Sequence, residues 1–174
     1  EAGRAGLGGR QGQLGLRAAV GPEPHVRDGA RRSGHVVGAL GGVLETSLYV
    51  DDLGRAARFW GETIGLPPLV PGDGRFCAYD AGRNTVLLLF RKGATLETVK
   101  LPGGTIPPHD GTGRLHVAFA VTADDLPGWE KRLAEAGVEV EARTDWPRGG
   151  RSIYFRDPDG HLVEFATPGL WPTY

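Results

Sequence analysis

Two stretches of the chain alternate between apolar and polar residues with period two. In LETSLYV (44–50), Leu44, Thr46, Leu48 and Val50 share one face, and Glu45, Ser47 and Tyr49 share the other. In LHVAFAV (115–121), Leu115, Val117, Phe119 and Val121 form the apolar face, leaving His116 opposite. Each stretch leads into helical spacing. Asp51 and Asp52 offer an N-cap before Leu53, Ala56, Phe59, Trp60 and Ile64, and Gly65 closes that helix. Asp124 and Asp125 precede Leu126, Trp129 and Leu133, and Gly137 ends the second. Short strands follow each helix: RFCAYDA and TVLLLFRK around a GRN turn, then VEVEAR, RSIYFRD and HLVEFAT.

The same grammar is written twice, with an offset of about 70 residues, too long for a solenoid of so few copies. It predicts an α+β fold of two sister modules about a pseudo-two-fold axis. Module one is expected over 42–100 and module two over 114–168, with 169–174 as a C-terminal tail. The Pro- and Gly-rich LPGGTIPPHDGTG (101–113) is expected to be the linker or a loop over the site. Residues 1–41 contain no Phe, Tyr or Trp and are crowded with Gly, Ala and Arg, which predicts a disordered tail. An arginine-rich, acid-poor leader also has the composition of a targeting peptide. Methionine is absent from the 174 residues, so the first residue is expected not to be a translation start.

Composition narrows the partners. A net charge of −1 supplies no field for nucleic acid or an anionic membrane. No apolar run approaches the roughly 18 residues of a membrane span. A single cysteine, Cys77, forms no internal disulfide and suits a cytoplasmic protein.

Superposing the repeats places Glu45 on His116, both facing away from the helices. In HLVEFAT, Glu164 is a lone carboxylate between apolar neighbours. Buried carboxylates are costly unless paired, and a divalent cation removes the cost. Glu45, His116 and Glu164 would supply two charges and an imidazole, and three protein ligands leave positions open for water and substrate. This donor set suits Mn, Mg, Fe(II), Ni or Zn without choosing among them. Singly, each residue has a plainer reading: a strand glutamate that faces solvent, or a histidine satisfied in the core. His161 reads as part of a tight DPDGH turn, and His109 as a cover over the site. Trp60 and Trp129 belong to core faces, whereas Trp146 and Trp171 flank loops where a pocket wall is expected.

LETSLYVDDLGRAARFWGETIGL, LHVAFAV and above all RSIYFRDPDGHLVEF resemble the vicinal oxygen chelate superfamily over residues 42–168. That superfamily includes glyoxalase I, extradiol dioxygenases, methylmalonyl-CoA epimerase, fosfomycin-resistance enzymes and bleomycin-resistance proteins. The resemblance implies paired βαβββ modules forming a curved, partly open barrel around a metal and a small substrate. It carries the family's ligand positions onto Glu45, His116 and Glu164. Glu45 departs from the more frequent histidine, which counts against a dioxygenase. Where glyoxalase I has a further acid, this chain has Leu88 or Leu89. The expectation is a glyoxalase-like lyase, isomerase or related enzyme acting on a small oxygen-bearing substrate. Glu45 and Tyr154 are its candidate catalytic groups, and Ser47, Tyr49, Ser152, Tyr154 and Trp146 its candidate substrate contacts. A phosphonate substrate would add a demand for Lys or Arg, for which Arg143 and Arg151 are nearest. A homodimer is expected, because each open half-barrel can be completed by a partner. The rival is a metal-free protein that sequesters an aromatic or cationic ligand between tryptophans, as bleomycin-resistance proteins do.

Overall fold

The computed structural model describes residues 39–70 and 72–174; most of the tail expected over 1–41 lies outside them. Strand β1 (Glu45–Val50) buries Leu48 and Val50 on its helix side and leaves Ser47 and Tyr49 half-buried on the other. Asp52 caps helix α1 (Leu53–Arg58), its carboxylate accepting the Arg55 N–H at 2.9 Å. The helix then widens into a π-helical turn, Phe59–Ile64, where the Gly65 and Leu66 N–H groups both reach back to the Trp60 carbonyl. Gly65 ends it in the left-handed region, φ +86°, as the spacing predicts. A Cβ there would also stand 2.7 Å from the Arg132 guanidinium, so the glycine clears the way for Arg132 as well.

Strands β2 (Pro68–Val70), β3 (Phe76–Asp80) and β4 (Val86–Arg91) complete a sheet in the order β1-β4-β3-β2, with β1 and β4 parallel. Next, β5 (Val99–Leu101) and β6 (Gly104–Ile106) pair only with each other, so the stretch expected as a linker or loop holds a hairpin. The second module repeats the first with β7 (His116–Ala120), α2 (Leu126–Glu135), β8 (Val140–Asp145), β9 (Arg151–Arg156) and β10 (Leu162–Ala166). Its sheet runs β7-β10-β9-β8, with β7 and β10 parallel. The α+β architecture of two βαβββ modules is therefore present, each module an open four-stranded sheet.

The helix-facing sides of both sheets share one core. Trp60, Phe155 and Phe165 are fully or nearly fully buried in it, and burial of each such side chain contributes about 1.5–3 kcal/mol. Trp60 reaches across the modules to Phe119, ring centroids 5.7 Å apart, and Trp129 packs edge-on to Phe165. Arg132 of α2 donates to the Thr63 and Glu62 carbonyls at the end of the π-helical turn. Cys77 is buried on the same side. Among the described residues no helix is long and apolar enough to cross a membrane.

His161 is more than a turn residue. It is fully buried, accepts the Leu115 N–H at Nδ1 (3.0 Å) and faces the Tyr49 carbonyl with Nε2 (2.9 Å). A carbonyl only accepts, so the proton sits on Nε2 and both ring nitrogens are satisfied. The imidazole thus fastens the end of β1 beside the start of β7. Asp159 of the same turn adds a bond from the Asp51 N–H at 2.7 Å and an ion pair to Arg55. At the other ends of these strands, Tyr174 donates its hydroxyl to the Val121 and Ala166 carbonyls and lies under Arg83, in the turn before β4. The two edge strands β1 and β7 therefore run antiparallel, and the last residues of the chain are docked.

The turn carries a pH signature. Asp157 is buried, and burial pushes its carboxyl above the ordinary value of 3.8 against the pull of the His161 N–H. Its Oδ1 accepts from the Asp159 and His161 amides, while Oδ2 has no partner among the described residues. A carboxyl whose folded pKa is raised binds its proton more readily folded than unfolded, so its contribution to stability falls as pH rises through that window. Asp157→Asn keeps an oxygen for both amides but cannot ionise. Denaturant midpoints measured from pH 4 to 7 are expected to move progressively in favour of Asp157→Asn relative to wild type; a constant difference would contradict this account.

Candidate functional site

On β10, Val163 and Phe165 point to the core, so Glu164 points to the open face of the sheet, where it is nonetheless 5% exposed. What buries it is a ring of hydroxyls from β9. Register pairs Glu164 with Tyr154 and Ala166 with Ser152, which brings both side chains onto that face. Ser152 Oγ and Tyr154 Oη donate to Glu164 Oε1 at 2.5 and 3.0 Å. Trp146 Nε1 donates in turn to Ser152 Oγ at 2.8 Å. Of the residues expected at a pocket wall, Ser152 and Tyr154 thus converge on one carboxylate oxygen, and Trp146 braces Ser152 from behind. Burial, then the bond to Glu164, raises the Tyr154 phenol above its ordinary value, so it stays a proton donor at neutral pH.

The other oxygen faces His116. Its Nδ1 lies 3.1 Å from the Leu162 carbonyl, which can only accept, so Nδ1 carries a proton. Nε2 then stands 3.3 Å from Glu164 Oε2. In the neutral ring this sets a nitrogen lone pair against a carboxylate, and a cation or a shared proton must lie between them. A backbone-oriented imidazole beside a hydroxyl-oriented carboxylate is the donor chemistry of a divalent-metal site, with the outer partners in place. The residues fit such an ion.

Glu45 does not join this pair. It pairs with Val86 as His116 pairs with Leu162, so the two are symmetry equivalents, as the repeat predicts. The edge strands run antiparallel, however, and Glu45 lies four residues back from the Tyr49 clamp, roughly 13 Å at the rise of a strand. Glu45 and His116 sit toward opposite ends of a cleft of about 490 Å³ between β1 and β7. Among the described residues no three His, Cys, Asp or Glu side chains are placed to share one ion. Symmetry also places Leu88 where module two has Glu164.

Ser47 and Tyr49 lie on the open face of module one with Glu45. Tyr49 shares a 2.7 Å hydrogen bond with His109 Nδ1, so His109 is built into that face rather than suspended over it. Gly111 permits this, because a Cβ there would collide with the Tyr49 ring. The two arginines nearest in sequence are turned away: Arg143 pairs with Glu130 of α2 at 2.6 Å, and Arg151 with Asp145 at 3.0 Å. Of the tryptophans, Trp60 and Trp129 are in the core as expected, Trp146 is bonded to Ser152, and Trp171 is exposed, so they do not form a sandwich for a ligand.

Residues 32–165 match the family described as the Glyoxalase/Bleomycin resistance protein/Dioxygenase superfamily. The metallothiol transferase FosB of Bacillus licheniformis is 49% identical over 57 residues, which span 32% of this chain but only 37% of that protein. The glutathione transferase FosA of Serratia marcescens is 30% identical over 137 residues, 71% of this chain and 79% of that one. Among solved structures, lactoylglutathione lyase from Agrobacterium tumefaciens superposes with a TM-score of 0.69 at 30% identity, covering 76% of this chain and 98% of that chain.

Proposed function

The chain belongs to the glyoxalase/bleomycin resistance protein/dioxygenase superfamily, and from that premise we propose that it is a divalent-metal-dependent enzyme acting on a small oxygen-bearing molecule. The observation that carries the reading is the pairing of His116 Nε2 with Glu164 Oε2, each fixed from behind by its own partner. His116 and Glu164 are two ligands, and Glu45 from the partner of a homodimer is the third. Mn, Mg, Fe(II), Ni and Zn all accept this set, and such an ion supplies Lewis-acid polarisation of a substrate oxygen.

The chain's own groups orient and handle protons. The Leu162 carbonyl holds the His116 ring with Nε2 outward. Trp146 and Ser152 fix the rotamer of Glu164 through Oε1, leaving Oε2 for His116 and the ion. Tyr154, raised by burial and by Glu164, keeps its proton on Oη at the edge of the site, where it can donate to an oxygen that gains charge. The reaction is of the lyase, isomerase or related group-transfer type; the relatives named above as thiol and glutathione transferases and as a lactoylglutathione lyase support an electrophile handled with a thiol. For a phosphonate substrate, Arg143 and Arg151 face away, which leaves Arg83, on the lining of the cleft with Glu45 and His116, as the cation for its charge.

Titration calorimetry with Mn(II), Ni(II) and Zn(II) tests the site without knowledge of the substrate. Ser152→Ala removes the brace behind Glu164 together with the acceptor of Trp146 Nε1, and its metal affinity is expected to fall about 10–100-fold, the usual effect of losing an outer-shell partner. Unchanged affinity in Ser152→Ala would remove the support for Glu164 as a ligand.

A further inference from the structure

A groove of about 320 Å³ opens on the helical side of the molecule, where the two modules meet. Phe59, which begins the π-helical turn, comes from module one. The other walls come from module two: the turn after α2, Glu141 of β8, and the end of β9 with the residues that follow it. Phe59 belongs to the shared core and Val138 packs against it, so the floor is apolar and lies behind the sheet whose open face carries Glu164. None of the residues lining this groove lines the cleft of Glu45 and His116. Its volume falls at the lower end of the roughly 300–1,000 Å³ of small-molecule pockets.

Glu139, Glu141 and Asp157 line the groove against a single guanidinium, Arg156. Arg156 is already engaged: its Nε donates to the two Glu141 oxygens at 3.2 and 3.1 Å, and its Nη1 to the Gly160 carbonyl at 3.2 Å. Glu139 is exposed, and among the described residues no cation pairs with it. Asp157 is 4% exposed; Oδ1 is turned to the Asp159 and His161 amides, and Oδ2 has no partner among the described residues. A buried carboxylate oxygen without a donor is costly, and a cation beside it lowers that cost. The groove as a whole therefore carries unbalanced negative charge, which attracts cations and repels anions. A bare divalent ion does not fit, because among the described residues no three acidic, histidine or cysteine side chains are placed to share one. A cation with several N–H groups does fit: each carboxylate can accept its own bond, while an apolar body rests on Phe59 and Val138.

We infer that this groove is a second binding site, for a small organic cation with a guanidinium or ammonium head and an apolar body of about one ring. It goes beyond the metal-site reading and needs neither the ion nor a partner chain. An occupant touches Phe59 of one module and the turn of the other that carries His161, so it also braces the clamp between β1 and β7. Calorimetric titration of the full chain, stripped of metal with EDTA, would compare benzylguanidinium with its neutral isostere benzylurea and with Mg(II). Benzylguanidinium is expected to saturate one site per chain, with benzylurea and Mg(II) each at least about tenfold weaker. Glu139→Lys and Asp157→Asn are each expected to weaken benzylguanidinium binding about tenfold or more. Glu139 is exposed and unpaired, so its replacement leaves the fold intact even if that of Asp157 does not. His116→Ala is expected to bind the cation like wild type, which separates this site from the metal. No binding of benzylguanidinium, benzylurea or Mg(II) binding as tightly, or benzylguanidinium binding indifferent to Glu139→Lys would overturn the assignment.

Discussion

His116→Ala and Glu164→Gln are each expected to weaken divalent-metal binding by more than about 100-fold, beyond the range seen for outer-shell partners. The two fail for different reasons. Without His116 the ion loses its nitrogen ligand, and the outward Nε2 cannot be replaced by a neighbour, because Ala118 and Ala120 are what β7 places beside it on that face. Glu164→Gln keeps the shape and an oxygen for Ser152 and Tyr154, but removes the charge that a cation needs inside a buried ring of hydroxyls. Both should fold, since neither side chain belongs to the shared core. Calorimetry with Mn(II) reads the difference directly, and wild-type affinity in either variant would contradict the ligand assignment.

His161→Ala is expected to cost about 3–5 kcal/mol of folding stability, the largest effect of any single polar replacement considered. The imidazole satisfies the Leu115 N–H and the Tyr49 carbonyl in a site without solvent access, so its removal strands both groups and leaves a hole between the modules. The clamp also sets the relation of β1 to β7, so the loss should appear in the common unfolding of both modules rather than in one. Urea denaturation followed by far-UV circular dichroism measures it. A loss below about 1 kcal/mol would mean that the other contacts across the modules, Trp60 with Phe119, Arg132 with the Thr63 and Glu62 carbonyls, and Asp159 with Asp51 and Arg55, suffice without the imidazole.

Much of this fold could be read from alternation and caps. The period-two faces of 44–50 and 115–121, the Asp52 cap and the closing glycines 65 and 137 are local signals, and the structure follows them. Glu164 was conspicuous as an acid among apolar residues, and β9 does bring Ser152 and Tyr154 to it. Strand β2 escaped because three residues beginning with proline carry no periodicity. The β5–β6 hairpin was hidden by the Pro and Gly residues that form its turn and flanks. His161 sat in a sequence that looks like turn chemistry, while its partners lie 46 and 112 residues away. Least legible was the distance between Glu45 and His116. A repeat reveals that two positions are equivalent, but only the antiparallel arrangement of the edge strands shows that equivalence sets them apart within one chain.

That separation makes the dimer the point on which the proposed site turns. Chains carrying Glu45→Ala and chains carrying His116→Ala, each alone, are expected to bind no Mn(II) at wild-type affinity. In a heterodimer of the two, one site joins His116 and Glu164 of the first chain with Glu45 of the second, and the other site lacks both. Titration of the purified heterodimer with Mn(II) should therefore recover one wild-type site per dimer, whereas no recovered site, or full binding by Glu45→Ala alone, would contradict a metal centre shared between two chains.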